Sequence, residues 1–154
     1  MAEPKLENVT DYRVLVLKVT MSFGLISGLL GFVQAWIATA IVTPAALSYV
    51  AYSPPMLALG LAISMGVGAV LGFASGLVGI ALGFLAHKIG VSAGLEAGIV
   101  GGGVLLGSAA LMMAMPFLFT PETAAVGVVV ALASSISVGV LVNKKLNSAS
   151  ELQV

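Results

Sequence analysis

Charged residues are scarce in this chain of 154 residues. Lys and Arg together number 6, Asp and Glu 6, and His 1, while 60% of the residues are hydrophobic and the mean hydropathy is +1.17. Soluble domains carry about 25% charged residues, so 8% is too few to keep a globule of this size in water. This composition excludes a water-soluble domain and a disordered chain. It also offers no basic patch that would neutralise phosphates, so nucleic acid is not an expected partner.

Cysteine is absent, and His87 is the only histidine. Disulfides, thiolate catalysis, Cys-ligated zinc and iron–sulfur clusters are therefore excluded, and one imidazole cannot hold a bis-histidine haem. The glycine run at 101–103 lies inside an apolar stretch rather than between a strand and a helix, so it is not a phosphate-binding loop. We expect no enzymatic activity, no cofactor and no metal site.

Four long runs without charge dominate what is present. Crossing the hydrocarbon layer takes roughly 20 residues of helix, which all four runs meet or nearly meet. The sequence predicts an all-α integral membrane protein, a four-transmembrane-helix bundle that forms a single membrane domain over residues 1–154. The spans are expected at 19–43, 56–86, 96–115 and 123–142, with polar tails at 1–13 and 143–154.

The basic residues all fall on one side of this four-span layout. They lie before the first span, between the second and third, and after the fourth, while the other two connections contain none. Cytoplasmic loops carry an excess of Lys and Arg, so both termini are expected on the cytoplasmic or equivalent matrix-like side. The six residues are Lys5, Arg13, Lys18, Lys88, Lys144 and Lys145.

Small residues recur at intervals of four in every span. Such a row forms one stripe along a helix, where two backbones can approach closely and where crossings of about −40° are favoured. The sequence therefore predicts glycine-rich right-handed helix packing. The packing positions are Gly24, Gly28, Gly31, Gly60, Ser64, Gly68, Gly72, Gly76, Gly79, Gly83, Gly98, Gly102, Gly127, Ala131, Ser135 and Gly139.

Stripes on all four helices suggest more neighbours than one protomer provides. We therefore expect a non-catalytic structural or accessory subunit of a multi-subunit membrane complex, in contact with the lipid bilayer and with other membrane subunits or copies of itself. One alternative is a small homo-oligomeric channel or transporter, with a pore along subunit interfaces lined by Gln34, Glu96, Ser134 and Ser135. A further alternative is a membrane-shaping or coat protein that forms an ordered array.

Glu96 is the one carboxylate placed to lie within the bilayer. A buried carboxylate in a membrane often marks an ion or proton path, so a proton site at Glu96 is one interpretation. Lys18 lies at a similar depth in the first span, and an ion pair of Glu96 with Lys18, or with Lys88, is the simpler expectation. His87 is expected to be an interfacial residue, with pH sensing as the alternative.

Overall fold

The computed structural model describes residues 7–42, 53–115 and 121–151, and no β-strand occurs in these ranges. Four long helices account for nearly all of them. Helix α1 runs over Glu7–Val42, α2 over Pro54–Ile89, α3 over Ala93–Ala114 and α4 over Pro121–Glu151. The expected all-α class is confirmed, and the expected polar tails are helical from Glu7 and as far as Glu151.

Each helix contains a stretch that is long and apolar enough to cross a membrane. These stretches have mean hydropathies between 1.8 and 2.4, and they cover Tyr12–Thr39, Pro54–Ile89, Ala93–Ala114 and Thr123–Ser148. Large aliphatic side chains are exposed on the bundle surface, among them Val70, Leu106 and Ile136, at 66%, 64% and 65%. Lipid tails solvate such side chains as well as a protein interior does. The protein is therefore a multi-pass integral membrane protein.

The helices pack in a closed ring. Each one contacts the next along the chain, and α1 closes the bundle by packing against α4. Between α2 and α3 the turn is short because Gly90 adopts the left-handed conformation, with φ 78° and ψ 33°. The Gly90 amide then donates to the His87 carbonyl and the Val91 amide to the Ala86 carbonyl, which is the Schellman pattern that ends a helix.

One end of the bundle carries the basic residues. It comprises the start of α1, the α2–α3 turn and the end of α4, and we call it the basic end. Arg13, Lys18, Lys88, Lys144 and Lys145 belong to it, while Lys5 lies outside the described residues. The most tightly packed core also lies at this end, since Tyr12, Ala97 and Val142 belong to one buried cluster.

Candidate functional site

A cavity of about 420 Å³ lies between the four helices, in the half of the bundle away from the basic end. All four helices form its wall, over residues 20–35 of α1, 63–75 of α2, 108–112 of α3 and 123–134 of α4. Sites for small molecules in proteins typically have volumes of about 300–1,000 Å³. The cavity is thus large enough for a small organic molecule or several waters.

The cavity wall combines hydroxyl groups with apolar surface. Rings of Phe23 and Phe32 line it, and none of its lining residues is charged. Thr20, Ser75 and Ser108 donate their hydroxyl protons to carbonyls about one turn back in their own helices, at 2.9 to 3.0 Å. Their oxygens remain acceptors towards the cavity. Seven hydroxyl side chains line the wall in all: Thr20, Ser27, Ser64, Ser75, Ser108, Thr123 and Ser134.

Small residues form part of the cavity wall. Gly28 and Gly68 line the cavity from α1 and α2, and Gly127 and Ala131 line it from α4. At Gly28 and Gly68 a Cβ would fall on the backbone of the facing helix, so these two glycines allow α1 and α2 to approach closely beside the cavity. Gly127 and Ala131, which we expected to be packing positions, also lie at the cavity wall.

Five buried valines close the bundle between the cavity and the basic end. Each is at most 1% exposed, and they come from three different helices. Val100 and Val104, and likewise Val138 and Val142, are about one turn apart, so this layer is about 6 Å deep along the helix axis. We call it the valine plug. Its members are Val16 of α1, Val100 and Val104 of α3, and Val138 and Val142 of α4.

A buried carboxylate lies on the far side of the valine plug. Glu96 is in the first turn of α3 and is 3% exposed, and its Oε2 lies 3.2 Å from Nδ1 of His87. His87 is in the last turn of α2, and its side chain is 56% exposed. The tight turn at Gly90 brings these two helix ends together. The pair therefore connects a buried acid with an imidazole on the surface of the bundle at its basic end.

Three buried polar atoms beside this pair have no hydrogen-bond partner among the described residues. They are Oε1 of Glu96, the hydroxyl of Tyr12 and Nε of Arg13. Tyr12 is 1% exposed and lies within electrostatic range of both Glu96 and Arg13. The Arg13 guanidinium also lies over the Phe84 ring, 5.4 Å from its centre. Burying a polar group without a hydrogen-bond partner costs free energy, and this cluster contains three such atoms.

The expected ion pair of Glu96 with Lys18 is not found, and the side chain in contact with Glu96 is that of His87 instead. The physical reason is the position of Lys18 around its helix. The buried side of α1 carries Val16 and Thr20, and Lys18, two residues from each, is turned about 200° away and is exposed. Lys88 is likewise exposed.

Most of the expected packing glycines lie against a neighbouring helix of the same chain. A Cβ built on Gly24 would fall on the carbonyl oxygen of Gly68, and one on Gly28 would fall on that of Ser64. Between α2 and α3, a Cβ on Gly79 would lie 2.8 Å from the Val100 carbonyl oxygen. The remaining glycines with contacts are Gly60 near Phe32, Gly72 and Gly76 near Thr20, Gly83 near Val100 and Gly139 near Ala97.

A few of the expected packing glycines face open space. A Cβ added at Gly31, Gly98 or Gly102 would meet nothing within 4 Å. At Gly94 the nearest atom to such a Cβ is Oδ1 of Asn143, 3.9 Å away. Gly94, Gly98 and Gly102 therefore form an open row on α3, which we call the open glycine row.

The four polar residues considered for a pore occupy different places. Ser134 lines the cavity, whereas Gln34, Glu96 and Ser135 do not. The hydroxyl of Ser135 donates to the Gly101 carbonyl at 2.8 Å and so connects α4 to α3. The amide oxygen of Gln34 has no hydrogen-bond partner among the described residues. The cavity lies inside one bundle, not between subunits.

Sequence reasoning missed Tyr12 and the valine plug. A signal for them was present, because Tyr12, Val16 and Thr20 are spaced by four and mark the buried stripe of α1. The His87–Glu96 pair was also readable in principle. A left-handed glycine at position 90 ends α2 and reverses the chain within three residues, which places the residues on either side of it next to each other.

Comparisons give no relative from which to transfer a function. No protein-family model, no curated protein and no solved structure matches this chain. Within the described ranges, no group of three or more His, Asp or Glu side chains is placed to hold a metal ion. Function is therefore inferred from the cavity, the valine plug and the buried acid.

Proposed function

We propose that the protein is a small, non-catalytic channel or transporter whose cavity holds an uncharged solute. The observation that carries this proposal is the asymmetry of the bundle interior. One half holds a hydroxyl-lined cavity that is partly open, while the interior of the other half is filled by five valines, each at most 1% exposed. A binding space that is closed towards one side of the membrane is what alternating access, or a hydrophobic gate, requires.

The lining chemistry favours a neutral solute with hydrogen-bonding groups. The hydroxyls offer acceptors and donors, and Phe23 and Phe32 offer apolar surface. An ion would lose its hydration shell in a cavity whose wall supplies no counter-charge, and that loss is expensive. Polar side chains inside membrane proteins usually face the bundle interior or a water-filled space, as these hydroxyls do.

We also propose that glycine contacts make α1 and α2 a rigid frame with right-handed packing. The approach of Gly24 to Gly68 and of Gly28 to Ser64 supports close contact between the two backbones. Helices joined through small residues at every fourth position commonly cross at about −40°. The frame would then hold one wall of the cavity fixed.

A structural or accessory subunit of a larger membrane complex, the leading expectation from the sequence, becomes the second candidate. The open glycine row on α3 favours it, because a partner helix can approach most closely where side chains are absent. It takes second place because most of the other packing glycines already contact helices of their own chain. The partner would be another membrane subunit or a second copy.

The orientation of the bundle follows from charge. The basic end carries Arg13, Lys18, Lys88, Lys144 and Lys145. Because Lys and Arg are retained on the cytoplasmic side, we propose that the basic end and both termini face the cytoplasm. The cavity then lies in the outward half, and the valine plug closes its cytoplasmic side.

The absence of cysteine makes a direct test possible, because one introduced thiol is the only one in the chain. In sealed vesicles, Ser134→Cys and Ser64→Cys should react with a small water-soluble methanethiosulfonate, since a thiol reacts as its hydrated thiolate. Val104→Cys in the valine plug should not react. Ile136→Cys, 65% exposed on the bundle surface, is the matched lipid-facing control.

The expected result is fast labelling at the two cavity positions when the reagent is added on one side of the vesicle only. If Ser134→Cys and Ser64→Cys are labelled as slowly as Ile136→Cys, the cavity is dry, which would contradict a solute pathway. Labelling of Val104→Cys at the same rate as Ser134→Cys would contradict a closed plug.

The second candidate has its own test. Gly98→Leu covers the centre of the open glycine row, and Gly66→Leu is the matched control, since a Cβ at Gly66 also meets nothing within 4 Å. After gentle detergent extraction, the native mass should fall to that of one chain for Gly98→Leu alone if this row holds a partner. An unchanged mass would argue against an interface there.

A further inference from the structure

The geometry points to a proton-binding site at the basic end, in which Glu96 takes up a proton that His87 delivers from solution. This site lies beyond the valine plug and does not depend on solute transport. Three observations carry it: the burial of Glu96, its contact with a half-exposed histidine, and the unpartnered polar atoms of Glu96 and Tyr12 next to it.

Glu96 cannot exchange protons with water directly, since its side chain is 4% exposed. The His87 side chain is 56% exposed, and its Nδ1 lies 3.2 Å from Oε2 of Glu96. Protonation of the exposed imidazole therefore gives an imidazolium whose Nδ1–H is at hydrogen-bonding distance from the buried acid. This arrangement is that of a relay with an exposed entry and a buried acceptor.

The proton transfer involves only the two side chains of the pair. The imidazolium of His87 gives up its Nδ1 proton, the N–H bond breaks, and an O–H bond forms at Oε2 of Glu96. His87 is left as the neutral tautomer with its proton on Nε2, and Glu96 becomes a neutral carboxylic acid. A charged pair thus becomes two neutral groups.

The unpartnered atoms distinguish this site from an ordinary ion pair. Oε1 of Glu96 and the Tyr12 hydroxyl are both buried, and neither has a hydrogen-bond partner among the described residues. A carboxylic acid, unlike a carboxylate, is both donor and acceptor, and so is a phenol. Protonation of Glu96 at Oε2 therefore neutralises a buried carboxylate whose other oxygen, Oε1, receives no hydrogen bond from the described residues.

The groups around Glu96 supply too few oxygens for a metal cation. From α1, Tyr12 and Arg13 face this end. From α2 the facing group is His87, and Lys88 is exposed. The α4 residue at this end is Asn143, an amide, and Lys144 and Lys145 are exposed. One carboxylate and one phenol are far fewer than the six or more oxygens that Ca²⁺ requires.

The test is infrared difference spectroscopy on the full-length protein in lipid nanodiscs. On acidification, the wild type should gain a C=O band of a buried carboxylic acid, and Glu96→Gln, which is isosteric, should lack it. Tyr12→Phe should keep the band but shift its frequency, because it removes a buried phenol that lies within electrostatic range of Glu96. A band that persists in Glu96→Gln would overturn the assignment.

The role of His87 as a proton relay is tested by the rate at which Glu96 becomes protonated. After a pH jump, the Glu96 band should appear on the order of tenfold or more slowly in His87→Asn than in the wild type, since a positioned proton donor contributes at least that much. Lys88→Gln, which removes a neighbouring exposed charge, is the matched control and should behave like the wild type. Equal rates in His87→Asn and wild type would overturn the role of His87.

Discussion

Gly24 of α1 and Gly68 of α2 face each other so closely that a Cβ on either would fall on the carbonyl oxygen of the other. The hydrogen that takes the place of each Cβ therefore points at the opposite carbonyl, which is the arrangement of paired Cα–H···O contacts. In lipid, where apolar burial does not drive helices together, such contacts and close packing supply the attraction. This reciprocal contact defines how near α1 and α2 can come.

Gly24→Ala should destabilise the protein because the new methyl group collides with backbone, which cannot rotate away. Overpacking of this kind costs about 1–3 kcal/mol. The measurement is unfolding in mixed detergent micelles followed by circular dichroism. Gly31→Ala on the same helix is the matched control, since nothing lies within 4 Å of its Cβ position and alanine favours helix. Equal stability of the two variants would contradict the close contact.

Ser135→Ala should weaken the contact between α3 and α4, because it removes the hydrogen bond to the Gly101 carbonyl. Hydrogen bonds between membrane helices contribute about 0.6 kcal/mol on average, so the loss is small but measurable by the same unfolding assay. Ser22→Ala is the control, since Ser22 bonds only to a carbonyl of its own helix and is exposed. A larger loss in the control would contradict the assignment.

Val104→Ala should open the valine plug, because it removes two methyl groups from a side chain with 0% exposure. Water would then enter the layer that separates the cavity from the basic end. In proteoliposomes, osmotic swelling in glycerol should be faster for this variant than for the wild type. Val140→Ala, at a position 61% exposed on the bundle surface, should swell like the wild type. If Val104→Ala does not swell faster, the valines do not form the barrier.

The proposed orientation predicts where single thiols react. Ser148→Cys lies at the basic end, and Ser53→Cys lies at the start of α2 on the opposite side. In intact cells, a membrane-impermeant maleimide should label Ser53→Cys and leave Ser148→Cys unlabelled until the cells are opened. The reverse pattern would place the termini outside.

The class of protein and the four helices were predictable because long apolar runs report burial in lipid directly. The partner of Glu96 was not. The choice of Lys18 used depth in the membrane alone, whereas contact also requires the right angle around the helix, and Lys18 is turned away from the side that carries Val16. The i, i+4 spacing of Tyr12 and Val16 indicates which side of α1 is buried, and Lys18 is not on that side.

The cavity was beyond sequence reasoning for a different reason. Its volume depends on how far the helices diverge in one half of the bundle, and no local pattern encodes a distance between helices. A stripe of small residues predicts close approach, yet Gly127 and Ala131 also line an open space. Gly24 both contacts Gly68 and lines the cavity, so only the placement of the neighbouring helices decides what a glycine on such a stripe faces.

Because the valine plug consists of valines, its side chains alone cannot open it quickly. A valine in a helix occupies essentially one χ1 rotamer, so it cannot swing aside as a leucine, methionine or phenylalanine gate can. The barrier can thin only when whole helices move apart. Rotamer flips take picoseconds to nanoseconds, whereas helix displacements take microseconds to milliseconds. If a solute passes through this bundle, the rate of its passage is therefore limited by helix motion and not by side-chain rotation.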